Sequence, residues 1–479
     1  MFVKMIKDSK INYYWVVILM LFMSIYNMYF MESTANIVLT IVQVLVVLYF
    51  LLSNKLDNAV LWHIVFSLTG FDATAGTTEL QLYSYPEIKL VGPITFSYVI
   101  LGLIWLRSYK IKILDQTRNT LIFKLRNILR FFLIYGTFIG LVGLMIFSYR
   151  FSDFILPFIY SFTGFLYLDI FIRLYNHKTL AKFYDYALCL IISSPIATFV
   201  SYFGLNIRAT YSAFDTLIFT ESYILASVLL LILVYEHKHK LLTLISLVAF
   251  FLTLFEGGRG GHFVILFFAI FVLLYLIYFE KNIQKNRISS VLRIVIPIFV
   301  VIGFSYFGIM LSRNNIATIK LMEALSLFSV FYTSGDLYSR LSLIPASPYI
   351  RIVQVFNILY DGLSNPFGLI FGNGFGGYYT DSTGLFKYTD VTMGGFSFEV
   401  ASSGRYGYAH SAIPSVLLFN GIIGLLALIK LGIAYIKQIK NTSLAFVVIP
   451  FVLLSFYFNT SLYLAYVFTL FAAEYRFKY

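Results

Sequence analysis

Two short stretches of the sequence carry the residues best suited to bond chemistry. In Glu256-Gly257-Gly258-Arg259-Gly260-Gly261-His262 one arginine stands among four glycines. Glycine lets backbone N–H groups approach an anion closely, and a guanidinium grips phosphate oxygens through paired N–H donors. A tight turn with a snorkelling arginine accounts for the glycines as well, but gives no reason for the arginine. In Arg405-Tyr406-Gly407-Tyr408-Ala409-His410-Ser411 a histidine stands just before an apolar block. An imidazole titrates near neutrality and can serve as general base toward a hydroxyl. A histidine resting in an aromatic belt with Tyr406 and Tyr408 fits the same residues equally well.

Two further candidates are weaker. Arg351 falls on the polar side of a predicted helix, with Arg340 eleven residues earlier; a solvated helix face is the blander and simpler account. Gly372-Asn373-Gly374-Phe375-Gly376-Gly377 fits G-x-G-x-x-G. A dinucleotide site needs a strand before that run and a helix after it. Neither is expected here, so the run reads as a turn.

These residues need a frame, and composition supplies it. Apolar residues make up 60% of the 479 and charged residues 12%, with a mean hydropathy of +0.85. An ordinary globular protein has roughly 25% charged residues, and so little charge cannot clothe a soluble surface. The apolar residues come in blocks of about 17 to 22, the length that crosses ~30 Å of hydrocarbon. The expected fold is an all-α integral membrane protein, a single polytopic domain over 1–479. Soluble-enzyme, disordered and nucleic-acid-binding classes are excluded. About fourteen segments are predicted, at 13–31, 35–53, 59–71, 91–107, 129–149, 154–172, 184–204, 216–235, 241–256, 262–279, 291–311, 412–430, 441–457 and 459–474. The third is short enough to be a re-entrant piece.

Charge orients these segments. With the N-terminus cytoplasmic, alternate connections and both tails hold 25 of the 35 Lys and Arg, which is where the positive-inside rule puts them. The net charge of +13 therefore marks membrane loops and not a nucleic-acid surface. The short outer loops keep only Lys89, Arg150, Arg208 and Arg259. Both termini are expected in the cytoplasm. The first block, after Lys4, Lys7 and Lys10, is expected as a retained span, being too long for a signal peptide and lacking a small-residue cleavage site. The lone Cys189 allows no intrachain disulfide and no thiolate metal site. No HExxH, Cys/His cluster or P-loop lysine appears, so neither metal nor cofactor is expected. Acids inside a membrane are functional suspects. Asp169 and Glu221 are each isolated in sequence, however, and packing against Ser or Tyr of a neighbouring helix is the expected account. His63, His177, His237 and His239 show no partner spacing.

One connection stands apart. Residues 312–411 form a long loop expected on the outer side, and long ordered loops usually serve function. Residues 316–333 read as helical. In 349–361, Ile352, Val353, Phe356, Leu359 and Tyr360 share one face, with Arg351, Gln354, Asn357 and Asp361 on the other. Ser347-Pro348 is a plausible start for that helix, and Gly362 with Pro366 a plausible stop.

The outer loop and its flanks resemble a known family. The stretch SPYIRIVQVFNILYDGLSNPFGLIFGNGFGGY is similar to a signature of bacterial surface-polysaccharide enzymes. In that signature an arginine precedes an Asn-Pro-Phe-Gly turn by about four helical turns, and a glycine-rich run follows. YAHSAIPSVLLFNGIIGLLALI resembles its second half, in which Ala-His-Asn opens a span; here Ser411 stands in place of that Asn. GGRGG resembles the Ser-Arg-Gly motif at the outer end of a middle span. The family is that of O-antigen polymerases (Wzy type) and O-antigen ligases, and the likeness covers roughly 265–425. It implies a metal-independent glycosyltransferase of the plasma (inner) membrane, polymerase before ligase, whose donor and acceptor glycans are carried on undecaprenyl pyrophosphate. It also implies a chain-length regulator as partner. Arg259 and Arg351 would hold the pyrophosphate, with Arg340 in reserve, and His410 would activate the acceptor hydroxyl. Tyr378, Tyr379 and Tyr408 are candidate sugar contacts. A polysaccharide flippase, which binds the same carrier, is the alternative from a different class.

The charge pattern sets a direct check. Gln116→Cys and Leu385→Cys are expected to react with a membrane-impermeant thiol reagent from opposite sides of the membrane. Labelling from one side removes the fourteen-span arrangement.

Overall fold

The computed structural model of the chain describes residues 13–30, 33–69, 83–117, 120–200, 344, 346–388, 396, 398–407, 409 and 412–438. Its elements are mostly helices: α1 (Tyr13–Tyr29), α2 (Ala35–Leu52), α3 (Leu56–Thr69), α4 (Phe96–Ser108), α5 (Leu121–Ile146), α6 (Phe151–Arg173), α7 (His177–Phe199), α8 (Ala346–Ser364), α9 (Pro366–Phe371), α10 (Phe398–Ser403) and α11 (Ala412–Gln438). Among the described residues, α2, α5, α6 and α11 contain spans long and apolar enough to cross a membrane. This is the helical membrane architecture the composition requires. The expected segments 216–311 and 441–474, with Glu221, His237 and His239, lie outside the described residues.

Local chemistry sets the helix ends. The Thr120 hydroxyl accepts from the Phe123 amide at 3.2 Å to cap α5, and Asn176 accepts from Thr179 at 3.0 Å to cap α7, each satisfying an orphan N–H of a first turn. The fourth predicted segment starts later than 91. Gly92, at φ 55°, and Pro93 punctuate the chain, and a small antiparallel hairpin of β1 (Lys89–Val91) and β2 (Ile94–Thr95) precedes α4. The short third segment is a 14-residue helix buried along most of its length. It packs against α1, α2, α4 and α7, so its surface meets protein and it needs no full bilayer length.

Polarity runs inside out on α2. Its buried positions are Asn36, Thr40, Gln43 and Val47, while Val38, Ile41, Val42, Leu45 and Tyr49 are exposed. Such an arrangement is disfavoured in water and favoured in hydrocarbon. The Thr40 hydroxyl donates to the Tyr83 carbonyl at 2.8 Å. His63 of α3 lies between two phenols, with Nδ1 2.8 Å from the Tyr85 hydroxyl and Nε2 2.8 Å from that of Tyr167. A partner for this histidine comes from α6, over a hundred residues away, so no sequence spacing announced it.

One end of the bundle gathers charge. Asn54, Asp57, Arg107, Arg126, Arg173 and Lys182 meet there: Arg107 donates to Asn54, and Lys182 pairs with Asp57. Asp169 corrects the expectation of a Ser or Tyr neighbour. Its Oδ1 accepts from Arg126 Nε at 3.0 Å and Nη2 at 2.6 Å, and its Oδ2 from Arg173 Nε at 2.8 Å and Trp105 Nε1 at 2.9 Å. Arg126 also lies against the rings of Phe123 and Phe165, and Arg173 against Tyr109. Helices α4, α5 and α6 are thereby tied at one carboxylate. All these residues belong to connections that the charge pattern puts on a common side.

Removing that carboxylate's charge leaves two buried guanidinium groups uncompensated, an effect of roughly 3–5 kcal/mol. Asp169→Asn is expected to lower the thermal midpoint of the detergent-solubilised protein sharply. Asp57→Asn breaks a half-exposed pair worth about 0–1 kcal/mol and is expected to change little. Equal midpoints for the two variants overturn the assigned role of Asp169.

Candidate functional site

The opposite end of the bundle carries the segment expected on the outer side, and a chain of backbone contacts fixes it. Asn365 caps α9 by accepting from the Gly368 amide at 3.1 Å, and Pro366 occupies the first turn, where its missing N–H costs nothing. Gly368 has no room for a Cβ between the Asn365 and Asn373 side chains. The Asn-Pro-Phe-Gly stretch is thus a helix start packed against the next turn.

The glycine run that follows inserts between α5 and α11. Asn373 N–H donates to the Leu418 carbonyl at 2.7 Å, Gly374 N–H to Phe419 at 3.1 Å, and Phe375 N–H to Gly136 at 2.9 Å. Helix α11 breaks at Gly421 (φ 61°, ψ −159°), which releases carbonyls of the preceding turn for these donors. At Gly374, φ is 68° and a Cβ would overlap the Gly140 backbone nitrogen; only glycine meets both demands. The Phe375 ring is fully buried, edge-on to Phe154 and Phe419. The run is therefore more than a turn: it is a backbone plug that docks the outer segment on the bundle.

Beyond the plug the chain forms an aromatic and acidic knot. Tyr379 and Tyr406 exchange backbone hydrogen bonds at 3.1 and 2.9 Å and stack their rings at 5.4 Å. Phe386 and Phe396 pack edgewise on Tyr406. Burial pushes the Tyr379 phenol well above its usual range, with the Tyr406 phenol beside it. Burial, then the nearby Asp381 carboxylate, raises Tyr406. Both rings stay neutral and hold the chain together. Asp381 accepts from the Leu385 and Phe386 amides and from Asn357 Nδ2, each at 3.1 Å. Asp361 accepts from the Thr380 amide at 2.7 Å and from Ser382. Asn357 Oδ1 accepts from the Thr383 amide at 3.0 Å and its hydroxyl at 2.6 Å.

These bonds turn α8 around. Gln354 and Asn357, read as a solvated face, are fully buried, whereas Ile352, Phe356, Leu359 and Tyr360 are exposed. The buried face mixes Ile350, Val353 and Ile358 with Gln354 and Asn357, so the expected division into an apolar and a polar face fails at Val353, which is buried, and at Arg351, which is exposed.

Among the candidate residues, Arg351 is exposed on α8. Tyr378 is half-buried, with its ring edge-on to Tyr149 and the Arg405 guanidinium 5.0 Å from its centre. Tyr379 is buried inside the knot. The structure brings Tyr378, Tyr379, Tyr406 and Arg405 together. Arg259, Arg340, Tyr408 and His410 lie outside the described residues. Tyr149 was not singled out from sequence; its place at the outer end of a predicted span, beside Arg150, was the available signal.

A matched pair of glycines tests the plug. Gly374→Ala meets both backbone strain and overlap, together roughly 2–4 kcal/mol. Gly384 has a similar φ of 64° with open space around it, so Gly384→Ala carries the strain alone, about 1–2 kcal/mol. The thermal midpoint is expected to fall clearly further for Gly374→Ala; an equal fall overturns the insertion.

The chain matches no protein-family model, no curated protein and no solved structure.

Proposed function

We propose that this chain is a glycosyltransferase of the plasma (inner) membrane that polymerises undecaprenyl-pyrophosphate-linked oligosaccharide repeats on the outer face, like the O-antigen polymerases its motifs resemble. It spans the membrane about fourteen times, with both termini cytoplasmic and a chain-length regulator as partner. The observation that carries this reading is the ordered outer cap. Helix α8, the plug and the Tyr379–Tyr406 knot hold Arg351, Tyr378 and Arg405 at the end of the bundle where α11 begins, and α11 begins directly after Ala409-His410-Ser411.

The chemistry needs few parts. An acceptor hydroxyl oxygen attacks the anomeric carbon of the donor. The bond from that carbon to the pyrophosphate oxygen breaks, its electron pair leaves with undecaprenyl pyrophosphate, and His410 takes the hydroxyl proton. Arg259 and Arg351 meet the charge that develops on the phosphates, which at a low-dielectric rim needs no metal. Tyr378, with Arg405 beside it, offers a ring to a sugar face. A flippase for the same carrier would place its arginines in a cavity between the spans. The exposed positions of Arg351 and Arg405 support an enzyme instead.

In a strain lacking the native gene, Arg351→Lys is expected to lose most polymer, because an ammonium cannot replace a bidentate fork, while Arg340→Lys keeps it. A general base contributes about 10²–10⁴-fold, so His410→Ala is expected to abolish visible polymer at unchanged expression while still binding the lipid-linked donor. Normal polymer from His410→Ala removes this mechanism. Polymer on the carrier with none on the lipid core, in the strain without the gene, makes the protein a ligase.

A further inference from the structure

The plug sits deep. Gly136, whose carbonyl receives Phe375, lies ten residues inside the end of the span Ile122–Ile146, or about 15 Å at ~1.5 Å per residue. Phe419, which receives Gly374, lies six residues inside the span Ile413–Ala434, or about 9 Å. Both measures run inward from the same end of the bundle. Irregular backbone at such depth is tolerated where protein satisfies it, and the three donated hydrogen bonds do so here.

The helices leading into the plug share a surface. Ile352, Phe356, Leu359 and Leu363 recur at helical spacing along α8, and Phe367 and Ile370 continue the surface on α9. All six are exposed, Leu363 at 72% and Phe367 at 62%, while the buried face sets Gln354 and Asn357 among Ile350, Val353 and Ile358. From Ile352 to Tyr360 there is no charged residue. On α2, a helix long and apolar enough to span, the inversion of polarity is fuller, with Asn36, Thr40 and Gln43 buried.

From this depth and this inversion we infer that α8 and α9 are not a solvated loop but a re-entrant, interfacial hairpin. Its stripe Ile352, Phe356, Leu359, Leu363, Phe367 and Ile370 rests in the acyl chains of the outer leaflet. The occupant is bilayer hydrocarbon, because α9 ends at Gly372 against Phe419 and Asn420, below the head of α11. A water-facing stripe would leave six large apolar side chains hydrated beside a plug that lies at membrane depth. The inference does not depend on glycosyl transfer.

The test uses full-length protein in liposomes of phosphatidylethanolamine and phosphatidylglycerol, with the single native cysteine removed as Cys189→Ala. Nitroxide labels on Phe356→Cys, Leu363→Cys, Phe367→Cys and Ile370→Cys are expected to collide with dissolved oxygen more often than with a water-soluble nickel chelate. A label on the exposed Lys387→Cys is expected to show the reverse. Four stripe positions keep the test readable if one variant does not fold. Nickel-dominated collisions at 363 and 367 overturn the inference and make the stripe a surface for a soluble partner. Low collision rates with both reagents also overturn it, assigning the stripe to protein, either another segment of this chain or a second copy.

Discussion

A backbone N–H inside a membrane has no water to bond, so chain that leaves helical geometry there must find its acceptors in neighbouring helices. Much of the described outer half follows from meeting that demand at residues 372–377. The donors of Asn373 and Gly374 require carbonyls that a continuous α11 would keep for itself, and the break at Gly421 releases them. The donor of Phe375 requires an approach to α5 that side chains would block, and Gly136 and Gly140 clear the path: a Cβ on Gly136 would strike the Phe375 ring, and one on Gly140 the Phe375 backbone. Small residues in a spanning helix admit close backbone approach in the same way at helix–helix contacts. Here they admit a loop.

The two ends of the bundle are held by different forces. One end relies on charge: Asp169 receives four N–H donors from three helices, and the guanidinium groups around it lie on aromatic rings. Burying a carboxylate is tolerable only when each oxygen is saturated in this way. The other end relies on backbone bonds and stacked rings, with Asp361 and Asp381 accepting from loop amides and hydroxyls. At that end the described basic side chains Arg150, Arg351, Lys387 and Arg405 stay at the surface.

The sequence made the helices legible because an apolar run of span length has few other stable forms. Where the chain departed from that reading, an identifiable interaction took over. Gly92 and Pro93 delayed α4, and enclosure by four helices let α3 be short. Trp105 and Arg126 were hidden as partners of Asp169 because they belong to other helices, Arg126 being counted only as a loop charge, whereas Arg173 lies four residues on in the same helix, a spacing the sequence does show. On α8 the helical spacing misplaced Val353 and Arg351, and the burial of Asn357 rests on Asp381 and Thr383, residues more than twenty positions from it. Amphipathic periodicity defines an axis of polarity. Its direction depends on what each face meets, and in a membrane protein that default is reversed.

The same bonds separate architecture from chemistry within the stretch that resembles polysaccharide polymerases. Asn365 is a helix cap, Pro366 a first-turn residue, Gly368 a close contact, and Gly372 and Gly374 the points where two backbones touch. Each is explained by the need to anchor an outer segment in the bundle, whatever reaction follows. Arg351 differs from them: it stands exposed on α8, away from the helix ends and from the close approaches of the glycines. In the proposed reaction, that exposure is what would let its guanidinium reach a phosphate of the substrate.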